Sequence, residues 1–156
     1  FARLVAWQIP DAVSQVITLG SPFRLEHPEQ ARSSRFFESL ARWHAPRDEW
    51  PEQDSQLPTL PVPASSIYSR FDGIVDWRTC IDTVDATHEN IQVRSSHLGF
   101  GHDPAVLWAV ADRLAQPAGT WQPFKPPLLA MFAYPAAHNP KVPNQRDVPA
   151  TSTGLS

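Results

Sequence analysis

Two residues whose side chains could share a proton each follow a predicted strand. Asp72 lies in the turn after the run at 65–69, and His97 lies in the loop after the run at 90–94. A carboxylate that holds one nitrogen of an imidazole ring leaves the other nitrogen to take a proton from a hydroxyl group. The pair therefore predicts acid–base chemistry, provided that the fold brings the two residues together, because nothing local in the sequence does so.

The elements around these residues predict an α/β fold with a parallel sheet. Val16–Leu19, Ser65–Ser69 and Asn90–Arg94 are short runs without clean alternation, which is typical of strands covered on both faces. Helical spacing precedes the first strand, recurs at 32–44 and follows the third strand. Strands separated by helices favour parallel pairing through crossover connections. The carboxyl ends of such strands meet at one edge, where ligands bind.

The last predicted helix has the clearest boundaries in the chain. Asp103 is a good N-cap residue, Pro104 suits the first helical position, and Pro117 ends the pattern. Its apolar residues have helical spacing and predict a single buried stripe, formed by Val106, Leu107, Val110 and Leu114.

The segments that contain Asp72 and His97 resemble those of the α/β-hydrolases, and among them the bacterial lipase- and esterase-like members. Ser65–Val75, in which Asp72 precedes a glycine, looks like the segment that delivers the triad acid. Asn90–Gly99 looks like the segment that delivers the triad histidine, and Val16–Pro22 like the strand after the nucleophile helix. The order acid then histidine also matches that family. The resemblance covers 1–124 and implies the C-terminal portion of the fold, with an incomplete sheet.

The resemblance implies hydrolysis of a carboxylic ester, either lipid-like or small, through an acyl-enzyme and without a cofactor or a metal. His97 would be the general base, and Asp72 would hold its other ring nitrogen. The family's G-x-S-x-G motif occurs nowhere in this chain. Because Phe1 begins a stretch with mid-helix character, we expect the chain to be a C-terminal fragment whose serine lies shortly before it. A missing N-terminal half would then be its partner, and the chain alone would be inactive.

Other residues compete for these roles. Asp76 and Asp82 are alternative acids, and Asp72–Gly73 is also an ordinary turn dipeptide. His97 with His102 and Asp103 matches no standard zinc spacing. Cys80 could act as a thiol nucleophile, but a buried structural thiol is the simpler interpretation.

Aromatic side chains have similarly divided interpretations. Trp77 and Trp108 either line an acyl pocket or pack in the core. Phe36, Phe37 and Trp43 form either the apolar face of a helical lid at 30–46 or part of the core.

Composition excludes some partners and predicts a tail. The formal charge of −3 argues against nucleic acid as a partner, and no apolar run is long enough to span a bilayer. Proline-rich, aperiodic sequence predicts a mostly disordered tail at 125–156. Two alternatives to ester hydrolysis stay open, namely acyl transfer on the same triad and a catalytically silent truncated protein.

Overall fold

The computed structural model describes residues 1–24, 59–117 and 119–140. The predicted lid at 30–46 and the last 16 residues of the predicted tail, 141–156, lie outside the described residues. Two α-helices and three strands form the frame of the described chain: α1 Ala2–Gln8, β1 Val16–Leu19, β2 Ala64–Ser69, β3 His88–Val93 and α2 Pro104–Leu114. Four 3-10 helices accompany them, at Pro10–Ala12, Trp77–Cys80, Leu98–Gly101 and Leu128–Ala133.

The strands form a small open sheet in which every pairing is parallel, in the order β1-β2-β3. Val16 pairs with Ala64, and Ala64 pairs in turn with His88. The predicted parallel arrangement is therefore confirmed, and the layout is that of a partial α/β fold. The connection from β2 to β3, for which the sequence predicted no definite element, contains one regular element, the 3-10 helix Trp77–Cys80.

The two faces of the sheet pack against different segments. Alternate strand residues face opposite ways, so Ile67 and Tyr68 mark the two faces. On the first face Ile67 packs with Phe100 and with Val106 of α2. On the second face Tyr68 packs with Cys80 and the segment around it. Both faces are thus covered, as parallel strands require.

The buried side of α2 differs from the predicted apolar stripe. Val106 is buried, but Leu107 and Leu114 are more than half exposed, and Arg113 is buried instead. Arg113 Nη1 donates to Glu89 Oε1 at 2.8 Å. A buried carboxylate needs a partner of opposite charge. The Arg113–Glu89 pair therefore determines which side of α2 faces the sheet, and the leucines of the predicted stripe do not.

Tyr134 and His138 contact the fold from within 125–140, a part of the segment for which composition predicts a mostly disordered tail. The aromatic rings of Phe124 and Tyr134 lie 4.9 Å apart. The hydroxyl of Tyr134 donates to the carbonyl oxygen of Ala105 at 2.8 Å, and the backbone N–H of His138 donates to the hydroxyl of Tyr68 at 2.6 Å. A proline-rich segment has no periodic apolar pattern, but it can still pack on a fold through single side chains and through backbone groups that are not used in secondary structure.

Candidate functional site

Asp72 occupies the turn that follows β2. Its Oδ1 accepts from the backbone N–H groups of Ile74 at 2.9 Å and Val75 at 2.8 Å. Its Oδ2 accepts from His97, and the side chain is only 2% exposed. Asp72 therefore does two things at once, because one oxygen shapes its own turn and the other faces the histidine.

His97 begins the 3-10 helix that follows β3. Its Nδ1 lies 2.7 Å from Asp72 Oδ2. With an ionised carboxylate as acceptor, Nδ1 carries the proton and Nε2 keeps its lone pair. The side chain is 28% exposed, and no residue in the described ranges forms a hydrogen bond with Nε2. Such a nitrogen is available to take a proton from another group.

The loop after β1 lies against the same pair. Gly20 has φ of +52°, and a Cβ added there would lie 2.6 Å from Phe100 Cε2 and 3.1 Å from Asp72 Oδ2. The ring of Phe100 meets that of His97 edge-on, with 6.2 Å between ring centroids. The loops after all three strands therefore converge, as expected for the carboxyl edge of a parallel sheet.

Ser69 links the loop that holds Asp72 to the loop that holds His97. Its buried Oγ accepts from the backbone N–H of Phe71 at 3.0 Å and from that of Ser95 at 3.2 Å. A serine at the end of a strand gives no sequence signal for this role, since the second donor comes from a different strand. Sequence reasoning missed it.

The competing acids have other partners. Asp76 caps the 3-10 helix by accepting from the backbone N–H of Arg78 at 3.0 Å. Asp82 pairs with Arg3 at 2.6 Å. Of the three candidate acids, Asp72 is the one that contacts His97.

A second acid–histidine contact escaped the sequence reasoning. His88 Nδ1 lies 2.7 Å from Asp85 Oδ1, but the His88 side chain is only 2% exposed. Its Nε2 is buried and has no hydrogen-bond partner among the residues that the structure describes. A substrate in solvent cannot reach that nitrogen, so exposure, and not the acid–histidine contact alone, distinguishes His97.

A nucleophile bonded to His97 is absent from residues 1–24, 59–117 and 119–140. Cys80 is buried, and burial raises the pKa of its thiol to about 12. A thiol with that pKa is protonated at neutral pH and is a poor nucleophile. The Oγ of Ser21, in the loop beside Gly20, instead donates to the carbonyl oxygen of Leu19.

Two further sequence interpretations concern a metal site and an acyl pocket lined by Trp77 and Trp108. Within the part of the chain that the structure describes, no cluster of three or more His, Cys, Asp or Glu side chains could hold a metal ion. Trp77 stacks on Tyr68 at 5.7 Å between centroids, whereas Trp108 is exposed on α2. The described helices include none that is long and apolar enough to cross a membrane.

Comparison of the chain with protein-family models, with curated proteins and with solved structures finds no match.

Proposed function

We propose that Asp72 and His97 are the acid and the base of a serine-hydrolase triad that acts on carboxylic esters, either lipid-like or small. The observation that carries the proposal is the 2.7 Å contact between His97 Nδ1 and Asp72 Oδ2. In this role His97 takes the proton of the attacking serine and later delivers it to the leaving group. Asp72 fixes the tautomer and stabilises the imidazolium. The reaction passes through an acyl-enzyme and uses no cofactor.

The proposal places the serine and the oxyanion-hole donors outside these 156 residues, because they contain no G-x-S-x-G motif. The open edge of the sheet supports it. Within the described residues, β1 pairs only with β2, and its other edge has no partner strand there. The adjoining α1 exposes Phe1 and Val5. An apolar sheet edge of this kind is what a strand carrying the nucleophile would cover.

The first experiment assays the 156-residue chain with p-nitrophenyl esters of several acyl lengths. We expect no turnover above background, because the described residues include a base but no activated nucleophile, and the chain has no G-x-S-x-G motif. Turnover that survives purification and disappears in His97→Ala would contradict the proposed location of the serine. His102→Ala is the matched control, since His102 is also exposed and lies near His97 in sequence.

The second experiment supplies the nucleophile by expressing the chain together with its preceding coding sequence, if that sequence encodes a G-x-S-x-G elbow. A fluorophosphonate probe should label the elbow serine, and His97→Ala should abolish labelling. Asp72→Asn should lower kcat by about 10⁴-fold, as expected when the histidine is held in the wrong tautomer. Asp76→Asn should leave kcat unchanged. Equal effects of the two aspartate variants, or the absence of an elbow, would refute the proposal.

A further inference from the structure

Three arginine side chains line one cavity on the face of the sheet opposite α2, beside the buried residues Tyr68, Val75, Cys80 and Ile81. The cavity has a volume of about 530 Å³, and its lining includes Arg24, Arg70, Arg78, Trp77 and His138. That volume falls in the range of small-molecule sites. Neither Asp72 nor His97 lines the cavity, so it is separate from the candidate catalytic pair.

Positive charge in this cavity is poorly balanced. No aspartate or glutamate of the described residues lines it. Asp76 Oδ1 lies 3.3 Å from Arg78 Nη1, but Arg24 and Arg70 form no ion pair with any residue of the described ranges. The described lining therefore carries more positive than negative charge, although the formal charge of the whole chain is −3. Guanidinium groups that share a cavity repel one another until an anion joins them.

Two of the guanidinium groups are held in place by an aromatic support. Arg70 Cζ lies 4.6 Å and Arg78 Cζ 4.9 Å from the centroid of the Trp77 ring. Trp77 is itself fixed, because it stacks on Tyr68 at 5.7 Å and meets His138 edge-on at 5.6 Å. Cation–π contacts of this kind orient the arginines before a ligand arrives, which lowers the entropy lost on binding.

We propose that the cavity is a binding site for an oxyanion, either a phosphate or a carboxylate group, held by Arg24, Arg70 and Arg78. A guanidinium presents paired N–H donors whose spacing matches two oxygens of such a group. Tyr68 and the two arginines already contact Trp77, so the ring supports the arginines and does not stack on the ligand. This site is independent of the proposed ester hydrolysis.

The test is isothermal titration calorimetry of the 156-residue chain with inorganic phosphate and, in a separate arm, with citrate. Both are run in a chloride-containing buffer that lacks other oxyanions. We expect one saturable site for at least one of the two anions, and the tighter of the two identifies the class of oxyanion. Arg70→Gln should weaken that binding about tenfold, since it removes a charge-assisted pair of hydrogen bonds. Lys125→Gln removes the same charge at an exposed position outside the cavity and should leave the affinity unchanged.

The Arg70→Gln variant could fold poorly, because it removes the contact between Arg70 and the Trp77 ring. Arg24→Gln is the second variant that tests the proposal in that case. Arg24 lines the same cavity but has no cation–π contact with Trp77, so the fold should tolerate its loss while binding weakens about tenfold. The absence of saturable binding of both anions at millimolar concentration would overturn the proposal. An affinity that falls equally in Lys125→Gln and Arg24→Gln would also overturn it, because it would show attraction to overall charge.

Discussion

Both carboxylate oxygens of Asp72 form hydrogen bonds, and these bonds fix the orientation of the carboxylate toward His97. Oδ1 accepts from two backbone N–H groups of its own turn, so Oδ2 is left for the imidazole. Asp85 also holds a histidine Nδ1, but it does so for a ring that is buried. At the scale of single residues, exposure distinguishes His97 from His88, because Nε2 of neither histidine has a hydrogen-bond partner among the described residues.

The tautomer of His97 provides a direct test of the contact with Asp72. With Asp72 ionised, ¹⁵N NMR of the neutral imidazole should show the proton on Nδ1. In Asp72→Asn the amide can donate to Nδ1 instead, so the proton should move to Nε2. The signals of His88 serve as the internal control and should not change. The same tautomer of His97 in both proteins would contradict the contact.

Cys80 should be inert in the folded protein. Burial raises the pKa of its thiol from an ordinary value of 9.0 to about 12. Only the thiolate reacts with disulfide reagents, and at pH 8 a pKa of about 12 leaves roughly one thiol in 10⁴ ionised. We expect Ellman's reagent to react with the native chain at least about 100-fold more slowly than with the chain unfolded in guanidinium chloride. Comparable rates in the two states would show that the thiol is accessible.

The loops that follow the strands are the elements that assemble the site. The loop after β1 approaches the Asp72 side chain and Phe100 so closely at Gly20 that a Cβ has no room. The loops after β2 and β3 are joined through Ser69 Oγ. Three separate segments thus depend on one another, and a change in any of them should reach the acid–histidine contact.

Gly20→Ala should destabilise the protein by about 1–3 kcal/mol, because it combines a left-handed backbone conformation with a steric clash against Phe100. The measurement is the free energy of unfolding in urea, followed by circular dichroism. Gly73→Ala is a matched control in the turn after β2, since a Cβ there meets nothing within 4 Å and φ is not positive. Its effect should stay within about 0.5 kcal/mol. Equal losses in the two variants would show that Gly20 has no special packing role.

On the scale of the whole molecule, segments from the first and the last described residues contact the strands and the connection between β2 and β3. Near the start of the chain, Arg3 pairs with Asp82 in the β2–β3 connection. From the other direction, the segment at 125–140 contacts Tyr68 of β2 through His138, and Asn90 Nδ2 of β3 donates to the carbonyl oxygen of His138 at 3.3 Å. The last described residues are therefore part of the packed structure.

A chain that ends after Phe124 should be less stable than one that ends after Pro140. The shorter chain loses the hydrogen bond that Tyr68 accepts from His138 and the packing of Tyr134 on Phe124, which together should cost about 3 kcal/mol. Composition predicts that 141–156 is dispensable, so the chain ending after Pro140 should unfold at nearly the same urea concentration as the full chain. Identical midpoints for all three chains would show that residues 125–140 add no stability.

Local signals in the sequence predicted the strands and the start of α2. The apolar runs predicted three strands, and Asp103 and Pro104 predicted where α2 begins, all within a residue or two of the structure. These signals are reliable because capping, proline geometry and strand propensity act over a few neighbouring residues.

Tertiary structure decided which side chains meet. Asp72, Asp76 and Asp82 are alike as residue types. The family resemblance favoured Asp72, and the parallel register and the converging loops place it beside His97. The Arg113–Glu89 pair, which reorients α2, and the docking of 125–140 also join residues far apart in sequence. Such contacts depend on the complementarity of two distant surfaces. They leave no periodic pattern in either segment, so the sequence alone could not reveal them.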